Sequence, residues 1–468
     1  MNYLDYFKEI CSIPHGSYNI DKISAYLENF AIEQGLEHYR DELGNVIIIR
    51  EATPGRENDE PVIIQGHMDM VAVKDPDCDI DMATEGLRLE TDGDFLFAKG
   101  TSLGADDGVA VCYAMALLAS KDLSLPRLEV VITVNEETGM EGAMGIDLSM
   151  LKGHTMLNLD SEEEGEFLVS CAGGARVDFE YDFISGATVE KTDDLKVYEI
   201  DMSGFIGGHS GTEIDKKRAN AIRIMCRLLK RLLDAGFMTA LGDIEGGTAD
   251  NAICNSCKAV ILGKAIEPEV FDIFKFEAME AYLATESGAQ ITIKESNETP
   301  VFYQAGDFLH FLSSLPDGVV SMSTDIEGLV ETSLNHGVIR MKDGLVKLSI
   351  SVRSNDNDKK AELIKTLKEL SEPRPVITGI RGEYPGWNYR KESPLRDKIT
   401  KVYKETTGKA PIFKAIHAGL ECGLLAEKID DLDCVSFGPN IYDIHTTSER
   451  LSLSSAERTW NFVVELLK

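Results

Sequence analysis

Val62-Ile63-Ile64-Gln65-Gly66-His67-Met68-Asp69 is a short apolar run that leads directly into a histidine and an aspartate. An apolar run of this length, bounded by turn residues, is typical of a buried β-strand. Residues 128–134 form a similar run that leads into Asn135-Glu136-Glu137, and residues 156–159 lead into Asp160. Buried strands that alternate with helical segments predict an α/β sheet covered on both faces.

Other segments extend this α/β pattern toward both ends of the chain. Residues 103–119 have apolar side chains near helical spacing and predict a helix. Residues 434–437 predict another buried strand, and Ser454 or Ser455 is expected to cap a final helix. The C-terminal segment therefore completes the fold that the N-terminal segment begins.

The middle of the chain has a different pattern. Residues 346–352 alternate between apolar and polar side chains, as in a half-buried strand of an antiparallel sheet. Residues 215–235 predict an amphipathic helix. The sequence thus predicts a discontinuous α/β domain of residues 1–177 and 388–468, with an α+β domain of residues 178–387 inserted into it.

The charge of the chain limits its partners. The 468 residues include 80 acidic and 47 basic side chains, which gives a formal charge of −33. A field of this sign repels nucleic acid and anionic membrane surfaces, so we expect neither as a partner. It is compatible with a small-molecule or small-peptide ligand.

Cysteine content and hydropathy predict a cytoplasmic protein. The nine cysteines are odd in number and scattered, which favours reduced thiols over a disulfide framework. Cys254 and Cys257 form one C-x-x-C pair, but no second pair completes a structural zinc site. We expect no signal peptide at the N-terminus and no membrane-spanning segment.

Acidic and histidine residues follow the predicted strands at five places: His67 and Asp69, Asp106 and Asp107, Glu136 and Glu137, Asp160, and His445. Functional groups in open α/β sheets gather beyond the carboxyl ends of the strands. Histidine and carboxylate ligands suit zinc, and two metals sharing one carboxylate are common in hydrolases.

Each of these acidic groups also has a simpler interpretation. Asp106-Asp107 could cap a helix, and His445 could lie in an ordinary loop. For Glu162-Glu163-Glu164 we favour a solvated acidic loop. Five coincidences at strand ends nevertheless favour a two-metal site.

Three motifs carry a resemblance to a known family. Residues 65–71, 104–108 and 135–143 resemble those of the cocatalytic zinc exopeptidases related to carboxypeptidase G. Residues 158–166 and Cys171-Ala172-Gly173-Gly174 are similar to the aminoacyl-histidine (Xaa-His) dipeptidase branch of that family. The resemblance covers essentially the whole chain. It implies a catalytic domain with a mixed sheet flanked by helices and an inserted lid domain with an antiparallel sheet.

The resemblance also implies two Zn²⁺ ions per chain. His67 and Asp160 would hold one ion and Glu137 and His445 the other, with Asp106 bridging them. Co²⁺ or Mn²⁺ could occupy the same set of nitrogen and oxygen ligands.

Further roles follow from the same resemblance. Asp69 would orient the His67 imidazole by accepting its second N–H. Glu136 would be the general base for a zinc-bridged water, and His209 would donate to the developing oxyanion. Some relatives carry Asn where Asp107 stands, and the sequence leaves the role of Asp107 open.

The resemblance also implies residues that recognise substrate, two in the inserted domain and one in the C-terminal part of the chain. Arg353, with Asn251 beside it, would bind a free carboxylate, although Arg353 could equally form a surface salt bridge. Gly419 resembles a backbone turn that contacts substrate. His417 is expected to support the structure, not to ligate a metal.

The expected activity is hydrolysis of dipeptides, with histidine preferred in the second position. The alternatives are a related two-zinc amidohydrolase that acts on tripeptides or N-acyl amino acids, and an inactive metal-containing binding protein. The presence of Glu136 disfavours the inactive protein, since such a protein would lose its base before its ligands. We expect a monomer or a homodimer.

Overall fold

The apolar runs at residues 46–49, 62–64 and 128–133 are buried β-strands in the computed structural model, which describes residues 2–468. The chain divides into two compact units. The first unit comprises Met1–Ser170, Tyr389–Ala415 and Leu420–Lys468, and the second comprises Cys171–Asn388 and Ile416–Gly419.

The helices and strands have the following bounds along the chain. The helices are α1 Tyr3–Cys11, α2 Asp21–Gln34, α3 Ala105–Ala119, α4 Glu141–Gly145, α5 Ala221–Asp234, α6 Pro268–Met279, α7 Gly306–Ser314, α8 Asn357–Ser371, α9 Pro394–Thr407, α10 Glu421–Lys428 and α11 Leu453–Leu467. The first strands are β1 Glu37–Arg40, β2 Val46–Arg50, β3 Val62–His67, β4 Leu89–Asp92, β5 Phe95–Ala98, β6 Leu128–Thr133, β7 Thr155–Asn158, β8 Glu166–Cys171, β9 Gly173–Asp182, β10 Thr188–Val189, β11 Lys196–Ser203 and β12 Gly208–His209. The remaining strands are β13 Met238–Gly246, β14 Ala252–Ile253, β15 Cys257–Gly263, β16 Gln290–Glu295, β17 Phe302–Tyr303, β18 Gly318–Met322, β19 Val330–Lys342, β20 Leu345–Ser354, β21 Val376–Tyr384, β22 Ile412–Ile416, β23 Asp433–Ser436, β24 Ile441–Tyr442 and β25 Arg450–Ser452.

The first unit is built on an eight-stranded sheet with the order β1-β2-β6-β3-β7-β23-β8-β22. Its four central strands, β6, β3, β7 and β23, are parallel to one another. β1 pairs with β2, β2 with β6 and β23 with β8 in the antiparallel sense. The predicted mixed α/β sheet is therefore confirmed.

Burial explains why the strands of this sheet can be recognised in the sequence as apolar runs. All six residues of β6 are buried, so both faces of this strand need apolar or paired side chains. Helix α3 packs on β3 and on α1, and nearly all its residues are buried, which accounts for its apolar sequence all round. A small antiparallel sheet in the order β24-β25-β5-β4 completes the unit.

The second unit contains an eleven-stranded sheet in which all described pairs are antiparallel. Helix α5 packs on β13 and β15, and α8 packs on β9 and β20. The predicted antiparallel inserted fold is confirmed. In β20 the side chains of Val346, Leu348 and Ile350 are buried, as the alternation predicts.

Two predicted helix starts are wrong, and capping explains both. Helix α5 begins at Ala221, because the Asn220 side chain accepts hydrogen bonds from the backbone N–H groups of the first turn. The predicted start near residue 215 lies instead at a short 3₁₀ turn, Ile214–Lys216. The cap of α11 is Ser452, whose hydroxyl oxygen accepts from the Ser455 N–H at 3.3 Å, not Ser454 or Ser455.

None of the helices within residues 2–468 combines the length and the apolar character that a bilayer crossing requires.

Replacing Leu229 of α5 by alanine should destabilise the second unit. Leu229 is 0% exposed and belongs to the main apolar core of that unit. Loss of a buried leucine side chain costs about 2–5 kcal/mol, because it removes apolar burial and leaves a cavity. Urea unfolding followed by circular dichroism measures this loss.

Ile377→Ala on β21 is the matched control, since Ile377 is 72% exposed. Its free energy of unfolding should stay within about 0.5 kcal/mol of the wild-type value. Equal losses in the two variants would contradict the packing described for α5.

Candidate active site

The parallel strands of the first unit bring the predicted metal ligands to one edge of the sheet. β3 ends at His67, β6 ends just before Glu136 and Glu137, and β7 ends just before Asp160. Because these strands are parallel neighbours, their carboxyl ends meet at the same edge. His445 lies in the loop between β24 and β25 of the small sheet.

Asp106 lies between two groups of ligands. Its Oδ1 is 3.3 Å from Nε2 of His67, and that nitrogen is 3.7 Å from Oδ1 of Asp160. Its Oδ2 is 3.2 Å from Nε2 of His445, and that nitrogen is 3.0 Å from Oε2 of Glu137. Of the three groups of possible metal ligands in the described residues, two therefore share Asp106, and one of its oxygens faces each of them.

The charge of this cluster fits divalent cations. Several carboxylates and only two imidazoles are brought together, and within residues 2–468 no lysine or arginine forms an ion pair with Asp106, Glu136, Glu137 or Asp160. The Oε1 atom of Glu137 is buried without a hydrogen-bond partner. Buried anions need compensating charge, and nitrogen and oxygen donors in this number suit zinc-like ions.

The pKa values of the candidate ligands are shifted in the directions that an excess of negative charge produces. Hydrogen bonds to Asp106 and Glu137 raise the pKa of His445 to about 10. Burial alone would lower the pKa of His67, but Asp106 and Asp160 raise it well above its ordinary value. Burial alone would raise the pKa of Asp106, but the two histidines bring it below its ordinary value.

Asp69 supports the site through its main chain and its side chain. Its carbonyl oxygen lies 2.9 Å from Nδ1 of His67 and accepts that N–H, which leaves Nε2 to face Asp106. The Asp69 carboxylate is 3.6 Å from the same nitrogen. It accepts instead from the Glu136 backbone N–H at 3.0 Å and from the Ser17 hydroxyl at 2.8 Å.

Glu136 is placed beside the candidate ligands as a half-buried acid. Its carboxylate lies within 4.8 Å of ligand atoms of His67 and Glu137. Burial raises its pKa well above the ordinary value for glutamate. Two residues next to or within the site have left-handed backbone conformations. Asn135, which precedes Glu136, has a φ of 54°, and His445 has a φ of 61°. Such values are uncommon for residues other than glycine.

Asp107 fixes the main chain of a ligand. It is buried, and its Oδ2 accepts the backbone N–H of His67 at 3.3 Å. A side chain at Gly66 would overlap Asp107 and Ala110, so the strand can approach α3 this closely only at glycine.

Residues 162–164, for which we favoured a solvated acidic loop, lie between β7 and β8 outside any helix or strand, but Glu162 is half-buried there. Burial, together with the charges of Asp106 and Asp160, raises the pKa of Glu162 to about 8. Glu163 is exposed, as expected for such a loop. Sequence alone gave no reason to separate these neighbouring glutamates.

Glu421 is a buried acid of the site region that the sequence analysis did not identify. Its Oε2 accepts from Nε2 of Gln65 at 2.5 Å and from the Thr133 hydroxyl at 2.6 Å. It therefore ties α10 to the ends of β3 and β6. Burial raises its pKa to about 7.

In the second unit, His209 and Asn251 lie close together. His209 in β12 pairs with Ala252 in β14, and the Asn251 carbonyl accepts the Ser210 N–H at 2.8 Å. Gly211 lies between His209 and Arg353, since a Cβ atom there would be 3.0 Å from the His209 Cε1 and 3.3 Å from the Arg353 Nε. The structure thus groups His209, Asn251 and Arg353, three of the residues predicted to contact substrate.

Arg353 is not the surface salt-bridge residue that the sequence allowed. It is 6% exposed, and none of the ion pairs among residues 2–468 includes it. Its Nη1 donates to the Tyr384 hydroxyl at 3.3 Å, and its Nε is buried without a partner. A buried guanidinium without an acid is suited to a carboxylate ligand.

Gly419 lies against the Tyr384 ring, where a Cβ atom would be 2.9 Å from the ring.

His417 is held by two hydrogen bonds. Its Nε2 lies 2.7 Å from the Ser333 hydroxyl, and its Nδ1 donates to the Asn355 Oδ1 at 3.0 Å. Burial lowers its pKa to about 3, with Arg353 adding to the effect. These contacts describe a neutral, structural histidine.

The surroundings of His209 select one tautomer. Its Nδ1 accepts the backbone N–H groups of Thr212 at 3.1 Å and Gly211 at 3.3 Å. Because a main-chain N–H can only donate, Nδ1 carries no proton and the proton of the neutral ring is on Nε2. Burial lowers the pKa of His209, and the charge of Arg353 lowers it further. His209 therefore presents a neutral Nε2–H donor.

Cys254 and Cys257 are buried free thiols, and neither belongs to any of the possible ligand groups found in the described part of the chain.

Comparisons with known proteins agree with this geometry. The model of peptidase family M20/M25/M40 matches residues 63–468. The chain is 34% identical to the cytosol non-specific dipeptidase of Escherichia coli K12, over 99% of this chain and 96% of that protein.

Two solved structures are also similar. The aminoacylhistidine dipeptidase of Vibrio alginolyticus has a TM-score of 0.93 and 33% identity, over 99% of this chain and 96% of that one. The aminopeptidase PepT of Bacillus cereus has a TM-score of 0.58 and 17% identity, over 100% of this chain and 97% of that one, a likeness of fold alone.

Nitrogen NMR of protein labelled with ¹⁵N-histidine should find His209 protonated on Nε2 and unprotonated on Nδ1. Its titration midpoint should lie below the ordinary value of 6.5, because burial and Arg353 oppose the charged form. The His209→Gln variant assigns the signal. Protonation on Nδ1, or a midpoint at or above 6.5, would contradict the hydrogen bonds described here.

Proposed function

The chain belongs to peptidase family M20/M25/M40, and from that premise we propose that it is a two-zinc dipeptidase, with histidine preferred as the second residue of the substrate. The observation that carries this proposal is the position of Asp106. Its two oxygens face His67 and His445 at 3.3 and 3.2 Å, as a carboxylate shared by two cations requires.

We assign the ligands accordingly. His67 and Asp160 would hold one ion, Glu137 and His445 would hold the other, and Asp106 would contribute to both. When bound, such cations supply Lewis acidity, which lowers the pKa of water and polarises a carbonyl group. Zinc is the proposed metal, and Co²⁺ or Mn²⁺ can take the same ligands.

Glu136 is the proposed general base. A water molecule that attacks the peptide carbonyl must lose a proton, and Glu136 accepts it and later donates it to the leaving amine. The backbone N–H of Glu136 donates a hydrogen bond to the Asp69 carboxylate at 3.0 Å. This bond supports the proposed role because it fixes Glu136 next to the proposed ligands.

Residues of the second unit are proposed to bind substrate. The Nε2–H of His209 donates to the oxyanion that forms at the scissile carbonyl, and its neutral tautomer supports this role. Arg353 binds the C-terminal carboxylate of the dipeptide, with Asn251 and the backbone at Gly419 beside it. The buried Arg353 Nε without a partner supports this assignment.

The names of the similar proteins make the specificity a question for experiment, since one is called non-specific and the other is named for aminoacylhistidine substrates. We propose that dipeptides ending in histidine are preferred, and that tripeptides and N-acyl amino acids are poor substrates. A cytoplasmic location is proposed because the Escherichia coli relative is named a cytosolic enzyme. A monomer or a homodimer is proposed for the assembly.

Purified protein should hydrolyse β-Ala-His and Gly-His only in the metal-loaded form, losing activity on chelation and regaining it with zinc. Glu136→Gln should lower kcat by a factor of about 100 to 10,000, because the variant cannot accept the proton. Its metal content should remain that of the wild type. Product release on a panel of dipeptides, tripeptides and N-acyl amino acids is the measurement.

Glu141→Gln, at an exposed position on α4, is the control and should leave kcat unchanged. If the protein binds two metal ions but cleaves none of the dipeptides, and cleaves tripeptides or N-acyl amino acids instead, these would be its substrates. Two bound metals with no hydrolysis of the whole panel would support the inactive binding protein.

Arg353→Lys should lower kcat/KM for dipeptides about tenfold to a hundredfold, mainly through KM. Lysine keeps the charge but loses the planar fork that binds a carboxylate, a loss of about 1.5–3 kcal/mol. Dipeptide amides, which lack the carboxylate, should be poor substrates of both proteins and should be affected little by the substitution.

Arg381→Lys is the matched control in the same unit, because Arg381 is exposed and ion-paired with Asp178 at 2.7 Å and Asp250 at 3.3 Å. Its kcat/KM should equal that of the wild type. An equal loss for dipeptides and their amides in Arg353→Lys would rule out carboxylate binding by this residue.

A further inference from the structure

Glu449 makes a set of contacts that no predicted role explains. Its side chain is 3% exposed. Its Oε2 accepts the backbone N–H groups of Leu103 at 2.8 Å and Gly104 at 3.1 Å, and its Oε1 accepts that of Ala105 at 2.8 Å. One carboxylate therefore satisfies three successive main-chain donors at the start of α3.

These contacts join two segments that carry proposed metal ligands. Ala105 directly precedes Asp106, and Glu449 lies four residues after His445. The two segments are 344–346 residues apart in the chain, yet Asp106 Oδ2 and His445 Nε2 are 3.2 Å apart. The hydrogen bonds of the Glu449 carboxylate reach the site through the main chain, and its charge also acts directly on the Asp106 carboxylate.

We infer that Glu449 is a positioning residue for the metal pair, and this inference rests on the proposed two-metal function. It holds the Leu103–Ala105 turn against the loop of His445, so that Asp106 and His445 stay at the separation needed to bind the same cation. Residues that orient the ligands of a metal commonly change its affinity about tenfold to a hundredfold when replaced.

A simple helix cap is the competing explanation, because an acid at a helix N-terminus satisfies free N–H groups and interacts with the helix dipole. The same unit offers a matched case. Asp433 is buried and accepts from the Leu395 N–H at 2.9 Å and the Ser393 hydroxyl at 2.6 Å, at the start of α9. Neither of these partners adjoins a proposed ligand.

The test compares Glu449→Gln with Asp433→Asn. The glutamine amide cannot accept hydrogen bonds through its nitrogen, so at least one of the three N–H groups loses its acceptor. Both variants are expected to lower the stability of the metal-free protein in urea. Only Glu449→Gln should weaken zinc binding at one or both sites, about tenfold or more, in competition with a chromophoric chelator.

Glu449→Asp is the second variant, since it keeps the charge but shortens the side chain by one methylene. Its zinc affinity should fall between those of the wild type and Glu449→Gln. Amide hydrogen exchange at Leu103–Ala105 in the metal-free proteins should rise in the same order, which reports the main-chain effect without any activity measurement.

Wild-type zinc affinity in Glu449→Gln would overturn the inference, as would an equal loss of affinity in Asp433→Asn. If both Glu449 variants fail to fold, Glu449 is a structural residue of α3 and the inference is also overturned. A wild-type protein that binds fewer than two zinc ions would count against the proposed function instead, so the two failures are distinguishable.

Discussion

The shared position of Asp106 is the constraint on which the first unit depends. Its two oxygens can face His67 and His445 only if the end of β3, the start of α3 and the loop between β24 and β25 come to one place. Parallel pairing of β6, β3 and β7 aligns the strand ends, because neighbouring parallel strands finish at the same edge of the sheet. The other sheet, β24-β25-β5-β4, supplies the loop of His445. The ligand set is therefore a property of the topology and not of any one segment.

This arrangement concentrates negative charge in a buried place, and the chain does not neutralise it with lysine or arginine among the described residues. The neighbouring carboxylates raise the pKa of both His67 and His445, so protons on these rings can partly compensate the negative charge. A metal ion that replaced these protons and bound the folded chain more tightly than the unfolded chain would stabilise the fold. The left-handed conformations of Asn135 and His445 cost free energy that such binding can offset.

The sequence predicted the features that depend on local pattern. β2, β3 and β6 are buried on both faces, so their apolar runs identify them, and candidate ligands lie at or shortly after the ends of β3 and β6. It could not predict contacts between distant segments. Glu449 bonds to residues 344–346 positions away, and Glu421 bonds to Gln65 across 356 positions, with no periodicity to reveal either. Nor could it predict which atom of Asp69 accepts the His67 N–H, since the choice depends on Ser17 and the Glu136 main chain. The early start expected for α5 was wrong because one side chain, Asn220, decides where the helix begins.

In the second unit the uncompensated buried charge is positive, whereas in the first unit it is negative. There a buried cation, Arg353, has no acidic partner among the described residues, and its field lowers the pKa of His209. A neutral imidazole with its proton on Nε2 can donate a hydrogen bond to a developing oxyanion. A substrate carboxylate bound to Arg353 would partly cancel that field and increase the proton affinity of His209. Under the proposed function, carboxylate recognition and the protonation of His209 would therefore be coupled through one guanidinium.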